Sequence, residues 1–290
     1  MPSDRPGEAS AMKLRSLLFV PGDRPDRFEK AAASGADAII LDLEDSVAPA
    51  RKAFAREAAA EYLTRPAGQV ARLVRINPVD SPWLRADLET AAASQGLVLP
   101  KAEGGETFAR LDAGAADLAL PPILPIATET PTAVFRMAEY ARFADRLLGL
   151  TWGAEDLPAA IGAAGSRDAA GRLTAPYELV RGLALFAAHA ARAPAVETVY
   201  PDIRDLEGLA AYAVRGAFDG FSGMMAIHPS QVDAINRAFT ASAAALEQAR
   251  AVVAAFATAP DVGAVQLNGR MLDAPHLKQA LRLLGEAEDE

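Results

Sequence analysis

The 290-residue sequence contains no cysteine. Disulfide scaffolds, thiolate zinc sites, iron–sulfur clusters and cysteine nucleophiles are therefore excluded. Histidine is scarce as well, with three in the whole chain, so a metal site here would be built from oxygen ligands. The lack of thiols is compatible with a reducing compartment, and we expect a cytoplasmic protein.

Basic side chains are also fewer than acidic ones. The chain has 29 basic and 38 acidic side chains, a net charge of -9, which argues against broad affinity for nucleic acid or anionic lipid. No apolar run reaches the roughly 18 to 20 residues of a membrane-spanning helix, and the N-terminus lacks the residue order of a secretory signal. We therefore predict no nucleic-acid partner, no membrane association, and a disordered lead-in over residues 1–12.

Apolar residues, by contrast, make up 51% of the chain and recur in short, regularly spaced runs. Several of these runs are apolar without strict alternation, which is typical of strands buried on both faces of a parallel sheet. Eight runs alternate with helical patterns, at 17–20, 38–43, 72–76, 96–99, 123–127, 147–151, 196–200 and 223–227. They predict an α/β fold, a (β/α)8 TIM barrel over 13–240, with a doubly wound open sheet as the alternative.

The pattern changes after the eighth strand and helix pair. Residues 242–256 read as an alanine-rich helix, 260–267 as a linker with a short strand, and 275–284 as another helix. About fifty residues bury little of their own surface. We therefore predict that 241–290 form a C-terminal helical extension that docks on the barrel or on a neighbouring subunit.

Polar residues recur at the carboxyl ends of the predicted strands. Catalytic groups of TIM barrels come from these ends, which meet at one mouth. The acidic residues are Asp42, Glu44, Asp45, Glu129, Glu155 and Asp156, and the basic ones are Arg75 and Lys101. So many carboxylates in one cavity need added positive charge, which either a divalent cation such as Mg²⁺ or ion pairing would provide.

Each of these residues also has a purely structural interpretation. Asp42 and Asp156 could cap the helices that follow them, and Glu44 and Asp45 could pair with the adjacent cations of residues 51–52. His228 precedes a proline after an apolar strand, where ordering of the backbone is the expected role. Residue types and spacing alone leave both interpretations open.

The same residues resemble those of the citrate lyase β-subunit-like CoA-ester lyases in the HpcH/HpaI aldolase superfamily, which include malyl-CoA and citramalyl-CoA lyases. The likeness extends over nearly the whole chain from Leu17. It rests on the ordered motifs FVPGDR (19–24), LDLEDSVAP (41–49), VRIN (74–77), LPK (99–101), ET (129–130), GAED (153–156), IHPSQ (227–231) and MLDAP (271–275).

This resemblance implies a Mg²⁺-dependent lyase that cleaves or forms a β-hydroxy-dicarboxylic acyl-CoA, such as malyl-, citramalyl- or citryl-CoA. The products would be an acyl-CoA and an oxo acid. The metal would be held by Glu129 and Asp156, and Arg75 would grip the small acid. The catalytic candidates are Arg75, Glu44, Asp45 and Asp273, and the substrate-binding candidates are Phe19, Arg24, Lys30, Arg75, Lys101, Glu129, Ile227 and His228.

The resemblance also implies a shared active site. In the family, an aspartate of the C-terminal extension reaches the site of a neighbouring subunit and gives a proton to the enolate. Asp273 matches it, so we expect a homo-oligomer, a trimer or a hexamer. As a bare sequence feature, an aspartate two residues before Pro275 is more typical of a helix start.

Two departures from the family pattern bear on the substrate. Residues 130–133 read Thr-Pro-Thr-Ala, where relatives commonly have arginine then glycine at the last two positions. Asp45 stands where the pyruvate-dependent aldolases carry a histidine base, which disfavours that branch. The alternatives to the lyase are an aldolase acting on a free hydroxy-oxo acid, an acyl-CoA thioesterase, and a citrate lyase β subunit that needs partner chains.

Overall fold

The computed structural model describes residues 12, 14–66, 68–259 and 262–285. The predicted lead-in over 1–12 therefore lies outside the described residues, apart from Met12. The chain divides into two compact units, Met1–Phe239 and Thr240–Glu290, which are described separately below.

The first unit is built on eight parallel strands. They are β1 (Ser16–Pro21), β2 (Ala38–Asp42), β3 (Ala71–Arg75), β4 (Gly96–Leu99), β5 (Ile123–Pro125), β6 (Leu150–Thr151), β7 (Ala195–Glu197) and β8 (Gly223–Ala226). Their order in the sheet is β5-β4-β3-β2-β1-β8-β7-β6. Parallel bridges from Ile123 to Leu147 and from Ile126 to Thr151 join the two end strands, so the sheet forms a nearly closed barrel. The prediction of a TIM-barrel fold is confirmed.

Helices surround this barrel. They are α1 (Phe28–Ala32), α2 (Lys52–Leu63), α3 (Leu84–Ala91), α4 (Gly105–Ala115), α5 (Pro131–Arg136), α6 (Asp156–Ile161), α7 (Ala175–Ala190), α8 (Leu206–Asp219) and α9 (Pro229–Ala238), with 3₁₀ segments at Pro25–Arg27, Pro49–Arg51 and Met137–Arg146. Asp205 caps the start of α8 by accepting a hydrogen bond from the backbone N of Gly208 at 2.8 Å. None of the helices in the described ranges is long and apolar enough to cross a membrane.

The strands bury apolar side chains on both faces, as the unbroken apolar runs predicted. Outward-facing residues such as Leu18 and Ile39 pack in the layer between strands and helices. A separate cluster that includes Leu17, Ile40 and Val196 fills the barrel interior. Because successive residues alternate between these layers, the inward set continues towards the end of each strand.

The second unit consists of α10 (Ala243–Ala257), the antiparallel hairpin of β9 (Ala264–Leu267) and β10 (Arg270–Asp273), and α11 (Ala274–Leu284). Asn268 and Gly269 form its turn with φ of 49° and 76°. A small apolar cluster of Ala249, Val252, Leu272 and Ala280 holds these elements together. The helical C-terminal part is confirmed, whereas the role of 241–290 at a neighbouring subunit stays a prediction.

Candidate active site

The alternation of side chains along the strands decides which residues reach the mouth of the barrel. Ile40 lies in the interior, so Asp42, two residues later in β2, is on the same side. In β3 the same step leads from Leu73 to Arg75. Both charged residues end their strands and pair in register, and the carboxyl ends of parallel strands lie together at one end of a barrel.

A cavity of about 420 Å³ opens at this end. Charged residues from the ends of β2, β3, β5 and β6 meet largely apolar ones from β1, β7 and β8. The charged residues are Asp42, Asp45, Arg75, Glu129, Glu155 and Asp156, and the others include Phe19, Ile126, Gly153, Thr198, Val199, Met225 and Ile227. The two predicted metal ligands and the predicted carboxylate-binding arginine therefore line one cavity.

Arg75 is held in place by Asp42. Its Nε donates to Oδ1 at 2.7 Å and its Nη2 to Oδ2 at 2.8 Å, and both residues are buried. Burial alone would raise the pKa of Asp42, but the hydrogen bonds and charge of Arg75 hold that pKa below its usual value. Cζ of Arg75 lies 4.7 Å from the ring centroid of Phe19. The Nε–Nη2 edge of the guanidinium is thus committed to Asp42, and Nη1 lies on the side of Glu44 and Asp45.

Glu44 bridges the two cations of the site. Its Oε1 accepts a hydrogen bond from Nζ of Lys101 at 2.6 Å, and its Oε2 lies 2.9 Å from Nη1 of Arg75 without forming a well-aligned hydrogen bond. Burial raises the pKa of Glu44 despite these charges. Asp45 is mostly exposed and lies 3.7 Å from the same Nη1. Glu44 therefore pairs across the barrel mouth rather than with Lys52, whose Nζ donates to backbone carbonyls of residues 43 and 44 instead.

Glu129 follows β5 and is buried beside the end of β6. Its Oε2 accepts a hydrogen bond from the backbone N of Lys101 at 2.5 Å. Lys101 adopts a left-handed backbone with φ of 49°, which is unusual for a side-chain-bearing residue. Gly153 is required opposite, because a Cβ there would lie 2.8 Å from Cγ of Glu129. Asp156 opens α6, and its Oδ1 is 3.8 Å from Nζ of Lys101.

These two carboxylates fit a divalent cation. Burial raises the pKa of Glu129 to about 8, and the nearby charges of Glu44 and Asp156 act in the same direction. A bound cation would offset the free-energy cost of burying the ionised Glu129 carboxylate beside other negative charges. Among the described residues no group of three or more His, Asp or Glu side chains is placed to hold a metal ion. Two carboxylates nevertheless suffice for Mg²⁺, which keeps several of its waters.

A second cavity of about 480 Å³ shares Phe19, Pro21 and Ile227 with the first. Lys30 and His228, both predicted to bind the CoA side of the substrate, line it. His228 also caps α9, accepting a hydrogen bond from the backbone N of Ser230 at 3.2 Å, as the structural interpretation predicted. Arg24 lines neither cavity and pairs with Asp26 at 2.9 Å on the surface.

Asp273, the predicted proton donor, belongs to the second unit. It ends β10 and is the N-cap residue of α11. Its Oδ1 lies 2.5 Å from Nδ1 of His276, and more than half of its side chain is exposed. The position at a helix start agrees with the structural interpretation, and exposure leaves the carboxylate open to a reaction partner.

Sequence reasoning missed the contribution of β7. Thr198 and Val199 line the cavity, and Glu197 is fully buried behind it, where it accepts hydrogen bonds from Trp152, Arg181 and Tyr212. The run 196–200 predicts a strand through its hydrophobic residues, which gives no weight to the polar residues Glu197 and Thr198. The same rule that identified the other sites, polar residues at a strand end, would have found Glu197 and Thr198.

Comparison with known proteins adds to this geometry. The model of the HpcH/HpaI aldolase/citrate lyase family matches residues 15–229. The chain belongs to this family. Its relatives include a citrate lyase subunit beta-like protein of Mycobacterium tuberculosis, 39% identical over 288 residues that cover 96% of this chain and 100% of the relative.

Two other relatives come from Cereibacter sphaeroides. A (3S)-malyl-CoA thioesterase is 37% identical over 285 residues, covering 96% of both chains. An L-malyl-CoA/beta-methylmalyl-CoA lyase is 32% identical over 300 residues, covering 94% of both. Among solved structures, the CitE protein of M. tuberculosis in complex with magnesium, acetoacetate and coenzyme A matches with a TM-score of 0.80 and 38% identity, covering 94% of this chain and 99% of that one.

Membership in this family confirms three predictions made from the sequence: the family itself, an enzyme of the carbon–carbon lyase class, and Mg²⁺ as cofactor. The relatives also include a thioesterase, so family membership leaves the specific reaction open. No comparison assigns roles to individual side chains of this chain, and the roles given to Arg75, Glu129, Asp156 and Asp273 are proposals.

Proposed function

We propose that the protein is a Mg²⁺-dependent lyase that cleaves or forms a short β-hydroxy-dicarboxylic acyl-CoA, such as malyl-, citramalyl- or citryl-CoA. The products of cleavage are an acyl-CoA and a small oxo acid. One observation carries the proposal: Glu129, Asp156 and Arg75 line the same cavity of about 420 Å³. A single small acid placed there would meet a metal site and a fixed guanidinium together.

The cavities also fit the rest of such a substrate. The second cavity shares three wall residues with the first, so the thioester arm could run from one into the other. Lys30 and Arg27 line this second cavity and bring positive charge to an otherwise acidic protein. Phosphate groups of CoA are the ligands that such cations prefer.

The roles of the side chains follow from their positions. Arg75, fixed by Asp42, lines the cavity, where its positive charge attracts the carboxylate of the small acid and stabilises negative charge that develops on the neighbouring oxygen. Glu44 holds Nζ of Lys101 3.8 Å from Oδ1 of Asp156, although Lys101, a predicted substrate-binding residue, lines a different cavity. Glu129 and Asp156 would hold Mg²⁺, which would supply Lewis-acid chemistry at the reacting end of the substrate.

Cleavage also requires a proton for the acyl fragment. The substrate hydroxyl loses its proton to water, the electron pair of the broken C–C bond moves to the acyl fragment, and the α-carbon of that fragment takes up one proton. We assign this donation to Asp273 of a neighbouring subunit's extension, within a homo-oligomer. In the condensing direction the same carboxylate removes the α-proton.

Thioester hydrolysis is the second candidate, because a relative 37% identical to this chain is a (3S)-malyl-CoA thioesterase. The same cavity would then hold the malyl group while water attacks the thioester. The two reactions differ in their products: a lyase releases an oxo acid and an acyl-CoA, whereas a thioesterase releases free CoA and a hydroxy acid.

A panel of thioesters tests the proposal. Malyl-, citramalyl- and citryl-CoA are incubated with the full-length protein and Mg²⁺, and the released oxo acid is trapped with phenylhydrazine while free thiol is measured in parallel. We expect oxo acid from at least one thioester and its loss on addition of EDTA. Free thiol without oxo acid would favour the thioesterase, and no turnover of any thioester would contradict both.

A further inference from the structure

Thr198 is a cavity residue with no assigned role. It directly follows β7, whose Val196 lies in the barrel interior, so Thr198 is on the same inward side two residues further along. It lines the cavity of about 420 Å³ together with Met225 of the same interior cluster. Its backbone N donates to Oε1 of Glu197 at 2.9 Å, which fixes the backbone from behind.

The hydroxyl of this residue has no partner among the residues that the structure describes. Thr198 is 1% exposed, and its Oγ1 forms no hydrogen bond although it is buried. A buried hydroxyl without a partner costs about 1 to 3 kcal/mol. Buried polar groups in native proteins are nearly always satisfied. Of the described residues with a buried side-chain atom that lacks a partner, Thr198 is the one that lines this cavity.

The position of β7 in the barrel indicates which part of the bound substrate would lie beside the Thr198 hydroxyl. β7 lies between β6 and β8 in the sheet. The end of β6 carries Asp156, one of the two proposed metal ligands, and the end of β8 leads to Ile227, which is shared with the cavity proposed for CoA. Thr198 is therefore placed between the end that holds the small acid and the end that holds the CoA arm.

The atoms of the substrate that join these two ends are those of the thioester. On the side of Thr198 towards β8 the wall is apolar, formed by Val199, Met225 and Ile227. Among these four neighbouring wall residues, Thr198 alone carries a side-chain hydrogen-bond donor. A thioester carbonyl buried against them would otherwise lose its hydrogen bonds to water.

We infer that the Thr198 hydroxyl donates a hydrogen bond to the thioester carbonyl oxygen of the bound acyl-CoA. The inference rests on the proposed function and adds a residue that recognises the acyl group itself. During cleavage the electron pair of the broken C–C bond is delocalised onto this oxygen. The hydrogen bond is then stronger in the transition state than in the ground state, which accelerates the reaction.

The test compares the binding of two ligands by calorimetry. Acetyl-CoA carries the thioester carbonyl, and S-ethyl-CoA has a methylene in its place. Thr198→Val keeps the shape of the side chain and removes the hydroxyl, so its affinity for acetyl-CoA should fall about tenfold while its affinity for S-ethyl-CoA stays unchanged. Thr198→Ser, which restores the hydroxyl, should bind acetyl-CoA nearly as the wild type does.

Thr151 provides a matched control. It ends β6, is 1% exposed, and its Oγ1 is also buried without a partner, but it does not line the cavity. Thr151→Val should leave both affinities unchanged. Wild-type affinity of Thr198→Val for acetyl-CoA, or an equal loss for both ligands, would overturn the inference and leave the proposed lyase intact. Failure of the wild-type protein to bind either ligand would overturn both.

Discussion

Individual residues at the barrel mouth depend on one another for their positions. Asp42 orients Arg75, and Glu44 joins Arg75 to Lys101. The sequence predicted the residue types and their common location, because each follows a strand. It did not predict their pairings, since Glu44 and Lys101 are 57 positions apart and local cations at 51 and 52 were equally plausible partners. The left-handed backbone of Lys101 also carries no sequence signal, because glycine is the residue expected there.

Replacing Arg75 by lysine tests this arrangement. The two parallel hydrogen bonds from Arg75 to Asp42 need a planar fork, which lysine lacks. We expect Arg75→Lys to lower kcat/KM at least about 100-fold and to destabilise the fold by about 1 to 3 kcal/mol. Kinetics on the accepted thioester and urea unfolding measure the two effects.

The control is Arg85→Lys, since Arg85 is about half exposed and forms ion pairs on the surface. Arg85→Lys should change neither kcat/KM nor the free energy of unfolding measurably. Arg75→Lys with wild-type kcat/KM would remove the guanidinium from the proposed mechanism.

Among the elements, the apolar runs predicted the existence of the strands better than their bounds. β4 has its predicted bounds, Gly96–Leu99. The run 147–151, by contrast, forms a strand only over Leu150–Thr151, because Leu147 joins β5 through an isolated bridge. β10 was missed entirely. Its signal was present, because Asn268-Gly269 supplies the two positive φ values that a two-residue hairpin turn requires.

Close packing between Gly153, after the end of β6, and Glu129 fixes the position of one proposed metal ligand. A Cβ at position 153 would lie 2.8 Å from Cγ of Glu129 and 3.3 Å from Cγ2 of Ile126. Gly153→Ala should therefore displace Glu129 and weaken Mg²⁺ binding about 10- to 100-fold. Calorimetric titration with Mg²⁺ measures this, and a thermal melt reports whether the barrel remains folded.

Gly165→Ala is the matched control, because nothing lies within 4 Å of a Cβ placed there. Its Mg²⁺ affinity should equal that of the wild type. Equal affinities for Gly153→Ala and the wild type would show that Glu129 does not need its observed position to bind the metal.

At the scale of the whole molecule, the barrel and the extension have different parts in the account. The barrel unit holds the cavity, and the extension holds Asp273 at the exposed start of α11. The sequence predicted both units from the change of pattern after the eighth strand. The proposal that Asp273 completes the site of a neighbouring subunit rests on the family resemblance.

Mixing two inactive variants tests that proposal. Asp273→Asn should keep Mg²⁺ and oxo-acid binding but lose turnover, and Asp156→Ala should lose metal binding and turnover together. If sites are shared, co-expressed chains of the two variants form some sites with an intact barrel and an intact extension. We expect partial recovery of lyase activity in the mixture and none in either variant alone. Turnover by Asp273→Asn alone at the wild-type rate would exclude this residue from proton transfer.

The proposed function requires that Glu129 and Asp156 together hold one Mg²⁺ at the barrel mouth. The most direct measurement is calorimetric titration of Mg²⁺ into the wild type, Glu129→Gln, Asp156→Asn and the control Asp233→Asn, whose carboxylate is exposed on α9. We expect one Mg²⁺ per chain for the wild type and the control, and affinities more than about 100-fold weaker for the other two variants. Wild-type Mg²⁺ affinity in either Glu129→Gln or Asp156→Asn would contradict this requirement.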